Sequence, residues 1–306
     1  MSQGTWSVKP WGGAFRLAAG AIALVLGPGC AMHGPLFRDG DGIVETMTTI
    51  RFHHRPVSLH LARQAGTGAA PLVLYVTGDG GWRGADPLVF RALVQWGYPA
   101  AGMEARDYLD HLGDLERRAT PRRLAADYAS LIRHARRELS LGPNTGVILV
   151  GFSRGAGLAV LAAGQRALRP RLLGVVAMAM TDEEDELALD SSAEADAAPP
   201  VVINPYRLLP AVDSLPVVVI QSTRDRYVTA AAARLLFGPN TSSRQLVVID
   251  SEGHTFGGAR DQLLESLRTS LQWISGPPSG ARLSVSGPSS SRERRARPSA
   301  TRAACR

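Results

Sequence analysis

Cysteine is almost missing from this chain of 306 residues: there are two, Cys30 and Cys305, each close to an end. No disulfide framework follows from such a pair, and the absence of Cys/His spacing removes a structural zinc site, so the core must hold the fold. Long apolar runs are missing near the N-terminus as well. The run Leu17–Leu26 has ten residues, whereas spanning a bilayer takes about twenty. The phosphate-cradling pattern G-x-x-x-x-G-K-[ST] is absent, and the glycines around Gly80 and Ser153 do not form G-x-G-x-x-G, which argues against a nucleotide-binding loop. No internal repeat is apparent.

Net positive charge is also missing from the body of the chain, although the sequence pI is 10.1. Of the net +7, residues 276–306 carry +6 and Lys9 and Arg16 carry +2, which leaves −1 for Ala31–Ser275. A basic face for nucleic acid is therefore not expected on the domain. The ends read as separate segments. Lys9 and Arg16, the apolar run, and the small residues Gly27 to Ala31 have the order of a secretory signal over residues 1–31, cleaved either after Ala31 or before Cys30 as a lipoprotein. Residues 276–306, rich in Arg, Ser and Pro without apolar periodicity, are expected to be a disordered tail. Residues 32–275 are long enough for one domain.

Within that domain two patterns alternate. Val57, Leu59 and Leu61 interleave with Ser58, His60 and Ala62, which predicts an amphipathic antiparallel strand, with another around Thr48–Phe52. Six buried-type runs follow at Pro71–Val76, Pro99–Met103, Gly146–Val150, Leu172–Met178, Pro216–Ile220 and Leu246–Ile249. Runs apolar on both faces need cover on both sides, and helices lie between them. Asp86-Pro87 reads as an N-cap with a first-turn proline for a helix ending at Gly97, and Thr120-Pro121 opens a second, whose apolar face is Leu124, Tyr128, Leu131, Ile132, Ala135 and Leu139. Leu263, Leu264, Leu267, Leu271 and Ile274 mark the last helix.

Chemistry gathers at the carboxyl ends of these strands. Gly151-Phe152-Ser153-Arg154-Gly155 follows one run directly and leads into an Ala/Gly-rich helix, the context of a G-x-S-x-G nucleophile elbow, in which small residues flanking the serine let the backbone bend sharply. The chain order nucleophile, acid, histidine leaves one downstream histidine, His254, in a loop after the last strand. Asp225, at the end of the penultimate strand, is the expected orienting acid, with Asp250 as the second choice. The glycine-rich segment Thr77-Gly78-Asp79-Gly80-Gly81-Trp82 stands where an oxyanion loop belongs, so the backbone N–H groups of Asp79 and Arg154 are the expected oxyanion donors. Eight strands, interleaved helices and this triad order describe an α/β-hydrolase fold, a mostly parallel eight-stranded sheet flanked by helices.

In these residues the chain resembles the VirJ/AcvB family of bacterial virulence proteins. Thr77 to Trp82 is similar to the family's S-G-D-G-G-W loop. Ala105-Arg106-Asp107-Tyr108, Arg118-Ala119-Thr120-Pro121 and Ala126-Asp127 match its next block, while Arg154 stands where the G-Y-S-F-G form of the elbow has an apolar residue. The resemblance implies a periplasmic serine hydrolase, soluble or anchored as a lipoprotein, that cleaves aminoacyl-phosphatidylglycerol, typically the lysyl ester, at a membrane surface. A run of eight acids from Asp182 to Asp196 with no Lys or Arg among them would attract a cationic headgroup at the chain position of a cap, or serve only as a solvated loop.

The implied reaction needs no metal or organic cofactor: His254 takes the proton of Ser153, Asp225 holds the imidazole, and water hydrolyses the acyl-enzyme. Two other readings remain at this stage. One is an esterase or lipase for a different small-molecule or lipid ester, and the other a non-catalytic periplasmic binding or chaperone-like protein.

Overall fold

The computed structural model describes residues 42–52, 55–66, 70–113, 121–182 and 204–276. The expected signal (1–31), most of the acidic run (183–196) and the basic tail beyond Gly276 lie outside the described residues, as do Arg118–Thr120.

Eight strands form one sheet: β1 (Ile43–Phe52), β2 (Arg55–Gln64), β3 (Leu72–Val76), β4 (Ala100–Met103), β5 (Val147–Phe152), β6 (Leu172–Met178), β7 (Val217–Ser222) and β8 (Arg244–Ile249). Their spatial order is β1-β2-β4-β3-β5-β6-β7-β8. The first two strands pair antiparallel with each other, and β2 runs antiparallel to β4. From β4 to β8 every pairing is parallel. The sheet is thus mostly parallel, as the apolar runs predicted.

The central strands β3, β4 and β5 are apolar and buried along their whole length because both of their faces are covered. In β3, Leu72, Leu74 and Val76 join one core while Val73 and Tyr75 join another. The first core is closed by α3 (Pro121–Glu138), α4 (Arg154–Ala163) and α5 (Ala230–Phe237), with Tyr108 and Leu109 of α2 (Ala105–Gly113). On the opposite face lie α1 (Asp86–Gln95) and α6 (Arg260–Ser275). The stripe read from the sequence for α3 is buried at all its positions, from Leu124 through Leu139. Crowding is greatest around α4, where every residue after Arg154 is buried.

One expected detail is corrected. Asp86 does not cap α1; the N-cap position is Ala85, with no side-chain cap. Its carboxylate instead turns into the protein, where it is buried and accepts from the Tyr75 hydroxyl (2.8 Å) and from the Gly78 N–H (3.2 Å). A buried Tyr–carboxylate pair that also satisfies the Gly78 N–H outcompetes a cap that water could replace.

Candidate active site

The elbow is built by backbone contacts that only glycine permits. A Cβ on Gly151 would lie 2.1 Å from the Gly155 carbonyl oxygen, and one on Gly155 would lie 2.2 Å from that of Val76. With both side chains absent, α4 starts directly against β3 and β5. Ser153 takes up the bend with φ 52° and ψ −120°, a conformation that L-residues seldom adopt and that the surrounding packing must enforce. Its N–H continues the sheet to the Met178 carbonyl at 2.8 Å, and its carbonyl starts α4 by accepting from Ala156 at 2.9 Å.

His254 reaches the serine from the loop after β8. That loop is closed at its base by reciprocal Glu252–Gly257 backbone hydrogen bonds of 3.0 and 2.8 Å. The imidazole stands edge-on between two aromatic rings, Phe152 at 5.8 Å and Tyr227 at 4.7 Å between centroids. Nε2 of His254 lies 2.7 Å from Ser153 Oγ, and Nδ1 lies 2.7 Å from Asp225 Oδ2.

Asp225 is only 1% exposed, so its charge must be met by donors. Three are present: His254 Nδ1 and Gln221 Nε2 on Oδ2, and the Tyr227 N–H on Oδ1 at 2.9 Å. An ionised carboxylate only accepts, so Nδ1 carries the proton and Nε2 of the neutral ring is left to accept from the serine hydroxyl. The ends of β7 and β8, which supply the two residues, are stitched by Ser251 Oγ donating to Ser222 Oγ at 2.8 Å and Ser222 Oγ donating to the Ser251 carbonyl at 2.9 Å. Asp250 points elsewhere: it accepts from Thr223 Oγ1 and pairs with Arg224 in a mostly exposed position.

On the other side of Ser153 lies the glycine-rich loop. A Cβ on Gly78 would come 3.2 Å from that of Ser153, so the loop is in contact with the serine. Thr77 is tied in by its N–H to the Met103 carbonyl and by its hydroxyl, which accepts from the Ala105 N–H at 3.3 Å. Asp79 and Arg154 both border a cavity of about 490 Å³ with Ser153, Thr181, Asp182, Arg226 and Tyr227. Their side chains are joined by an ion pair, Arg154 Nε donating to Asp79 Oδ1 at 2.7 Å. The acidic run thus begins at the cavity wall with Asp182. Among the described residues no group of three or more His, Cys, Asp or Glu is placed to hold a metal ion.

Three site residues had no sequence signal of their own. Gln221 lies in β7 beyond the apolar run, Tyr227 follows Asp225 in the next loop, and Asp86 reads as a helix cap. Burial raises the Asp86 carboxyl to about 7, even though the hydrogen bonds from Tyr75 and Gly78 pull it down. Such a group binds a proton in the folded state that it has lost in the unfolded chain, so its contribution to stability is full below about pH 4, falls as the pH rises towards about 7, and is flat above that. Asp86→Asn keeps an acceptor for both donors but cannot titrate. Urea denaturation at about pH 4.5 and about pH 8 should therefore show the balance moving in favour of the variant by on the order of 3 kcal/mol; a constant difference would show that Asp86 does not titrate in this window.

Residues 71–185 match the family model described as bacterial virulence protein (VirJ). The matched residues include the glycine-rich loop, Ser153 and Arg154, while Asp225 and His254 lie beyond them. No curated protein matches the sequence. Solved structures resemble it in fold. A protein of Klebsiella pneumoniae subsp. pneumoniae MGH 78578, by description a dienelactone hydrolase, shares 17% identity at a TM-score of 0.55, covering 76% of this chain and 99% of its own. Est1E of Butyrivibrio proteoclasticus shares 14% identity at 0.52, over 75% and 99% of the two chains. A membrane phospholipase A described as a bacterial virulence factor shares 13% at 0.50, over 77% and 88%. These likenesses establish the α/β-hydrolase fold.

Proposed function

We propose that the protein is an exported serine ester hydrolase in which Ser153, His254 and Asp225 act as one unit on an aminoacyl-phosphatidylglycerol, the lysyl ester in particular. The observation that carries the reading is the relay of two 2.7 Å contacts from Asp225 through His254 to Ser153 at the edge of an open cavity. The VirJ-family segment and the esterase and phospholipase among the structural neighbours support an ester, and a lipid ester, as the substrate class. Asp182 at the cavity wall supports a cationic aminoacyl group.

In this mechanism Ser153 Oγ attacks the aminoacyl carbonyl while its proton passes to His254 Nε2. Asp225 holds the imidazole with Nδ1–H towards it and stabilises the imidazolium. The carbonyl oxygen, now negative, lies against the N–H groups of Asp79 and Arg154. Collapse breaks the ester bond, and His254 returns the proton to the departing glycerol oxygen of phosphatidylglycerol. Water, deprotonated by the same nitrogen, then releases the free amino acid and restores Ser153. Export by the residue 1–31 segment would bring this chemistry to the outer face of the inner membrane, with the protein in the periplasm or anchored there as a lipoprotein.

The test is incubation of residues 32–306 with a bacterial lipid extract, read by mass spectrometry, alongside labelling by a fluorophosphonate. Lysyl-phosphatidylglycerol should disappear, free lysine and phosphatidylglycerol should rise together, and the label should sit on Ser153. Loss of a different ester with Ser153 labelled would make the protein an esterase of other specificity. No loss and no labelling would favour a binding role.

A further inference from the structure

We propose that the Arg154–Asp79 ion pair is a clamp that holds the two halves of the oxyanion hole in register, which makes both side chains positioning groups for the reaction proposed above. The proposal rests on that reading for the roles of the two backbone N–H groups. The structural facts stand apart from it.

An oxyanion hole made from two chain segments has a problem of alignment. Here the segments are 75 residues apart: Asp79 sits on the loop after β3 and Arg154 on the first turn of α4. Each is fixed from within. Asp86 receives the Gly78 N–H behind the loop, and Gly155 lets α4 seat on the Val76 and Thr77 carbonyls. On the cavity side the link is made by side chains, Arg154 Nε to Asp79 Oδ1 at 2.7 Å, so each residue expected to donate its backbone N–H is also tied to the other through its side chain. A closed ring of covalent and hydrogen bonds then spans the place where the anion forms.

Exposure of the two partners is unequal and bears on how well the pair can hold. The Arg154 side chain is 18% exposed and that of Asp79 is 59% exposed. An exposed pair contributes little to global stability and is weakened by salt. Its effect is therefore expected in geometry, where a displacement of about 1 Å in a catalytic group can cost on the order of a hundredfold in rate. Because the oxyanion exists only on the way to and from the tetrahedral intermediate, misalignment of its donors lowers kcat and leaves KM nearly unchanged.

The experiment compares the full chain after signal removal with Asp79→Ala, Arg154→Ala and the double variant, using 4-nitrophenyl butyrate and amide hydrogen exchange. Each single variant should lose about 3- to 10-fold in kcat with little change in KM, and the double variant should lose no more than the worse single one. Raising NaCl should reduce kcat of the wild type and leave the variants unaffected. Exchange should quicken in both the 77–82 loop and the first turn of α4 when either side chain is removed. Losses that multiply, a change confined to KM, or an unaltered kcat would overturn the clamp. If the wild type hydrolyses no ester and no fluorophosphonate labels Ser153, the proposed function fails, and exchange alone decides the clamp: quickening in both segments supports it, and no change refutes it.

Discussion

Ester hydrolysis by the Ser153→Ala variant is expected to fall by about 10⁴- to 10⁶-fold, with thermal and urea unfolding unchanged. The serine makes its side-chain hydrogen bond outward, to His254 Nε2, and its backbone already tolerates the unusual φ with a side chain of nearly the same size. His254→Ala should be about as damaging, because a serine hydroxyl without its base is a poor nucleophile at neutral pH. Combining the two should cost little more than either alone, since groups acting as one unit are strongly non-additive. Asp225→Asn should cost about 10⁴-fold by a different route: an amide in place of the carboxylate no longer demands a proton on Nδ1, and the ring is free to take the wrong tautomer. Wild-type turnover in any one of these variants, measured on a 4-nitrophenyl ester, would remove that residue from the mechanism.

The second large effect concerns stability. Gly151→Ala should destabilise the protein by about 3 kcal/mol or more in urea denaturation, above the usual cost of one added methyl in a packed region. The added carbon would meet the carbonyl oxygen, the carbonyl carbon and the following nitrogen of the Gly155–Ala156 peptide at 2.1 to 2.6 Å. None of these is the end of a flexible side chain, so the whole first turn of α4 would have to move off β5. Gly155→Ala presses on the Val76 and Thr77 carbonyls in the same manner and should behave alike. The two variants should also lose activity through displacement of Ser153. A folded, wild-type-stable Gly151→Ala protein would show that the elbow is looser than its contacts indicate.

The local patterns in the chain were a good guide to its elements. Runs apolar on both faces became the parallel strands, because a strand covered by helices on either side has no polar face to show. Val57, Leu59 and Leu61 are buried in β2 as their alternation predicted, but His60 and Ala62 on the other face are buried too, so the strand is covered on both sides along that stretch. Less legible were the shorter pieces. Neither α2 nor α5 stood out, since eight or nine residues complete only about two turns and leave little periodicity to detect. For α5 a signal did exist: Thr229 caps it by accepting from the Ala232 N–H, ahead of a run of alanines. Asp86-Pro87 misled in the opposite direction, since the same dipeptide that suits a helix start also fits a carboxylate held under a loop.

Ser153 and His254 could be singled out from the sequence by itself, because the nucleophile needs small neighbours at fixed spacing and one histidine follows it in the chain. The strand boundaries and the covered sheet were equally local matters, set by where apolar residues repeat. Tertiary structure alone decided the rest. It placed β4 between β2 and β3 and sent Asp86 beneath Gly78, and it set at 2.7 Å from His254 the Asp225 that the strand order already favoured over Asp250. It also joined Arg154 to Asp79 across 75 residues. Hydrogen bonds and ion pairs act over about 3 Å, so which distant carboxylate meets which donor depends on how the strands lie side by side, and that arrangement is a property of the packed sheet that no short stretch of sequence contains.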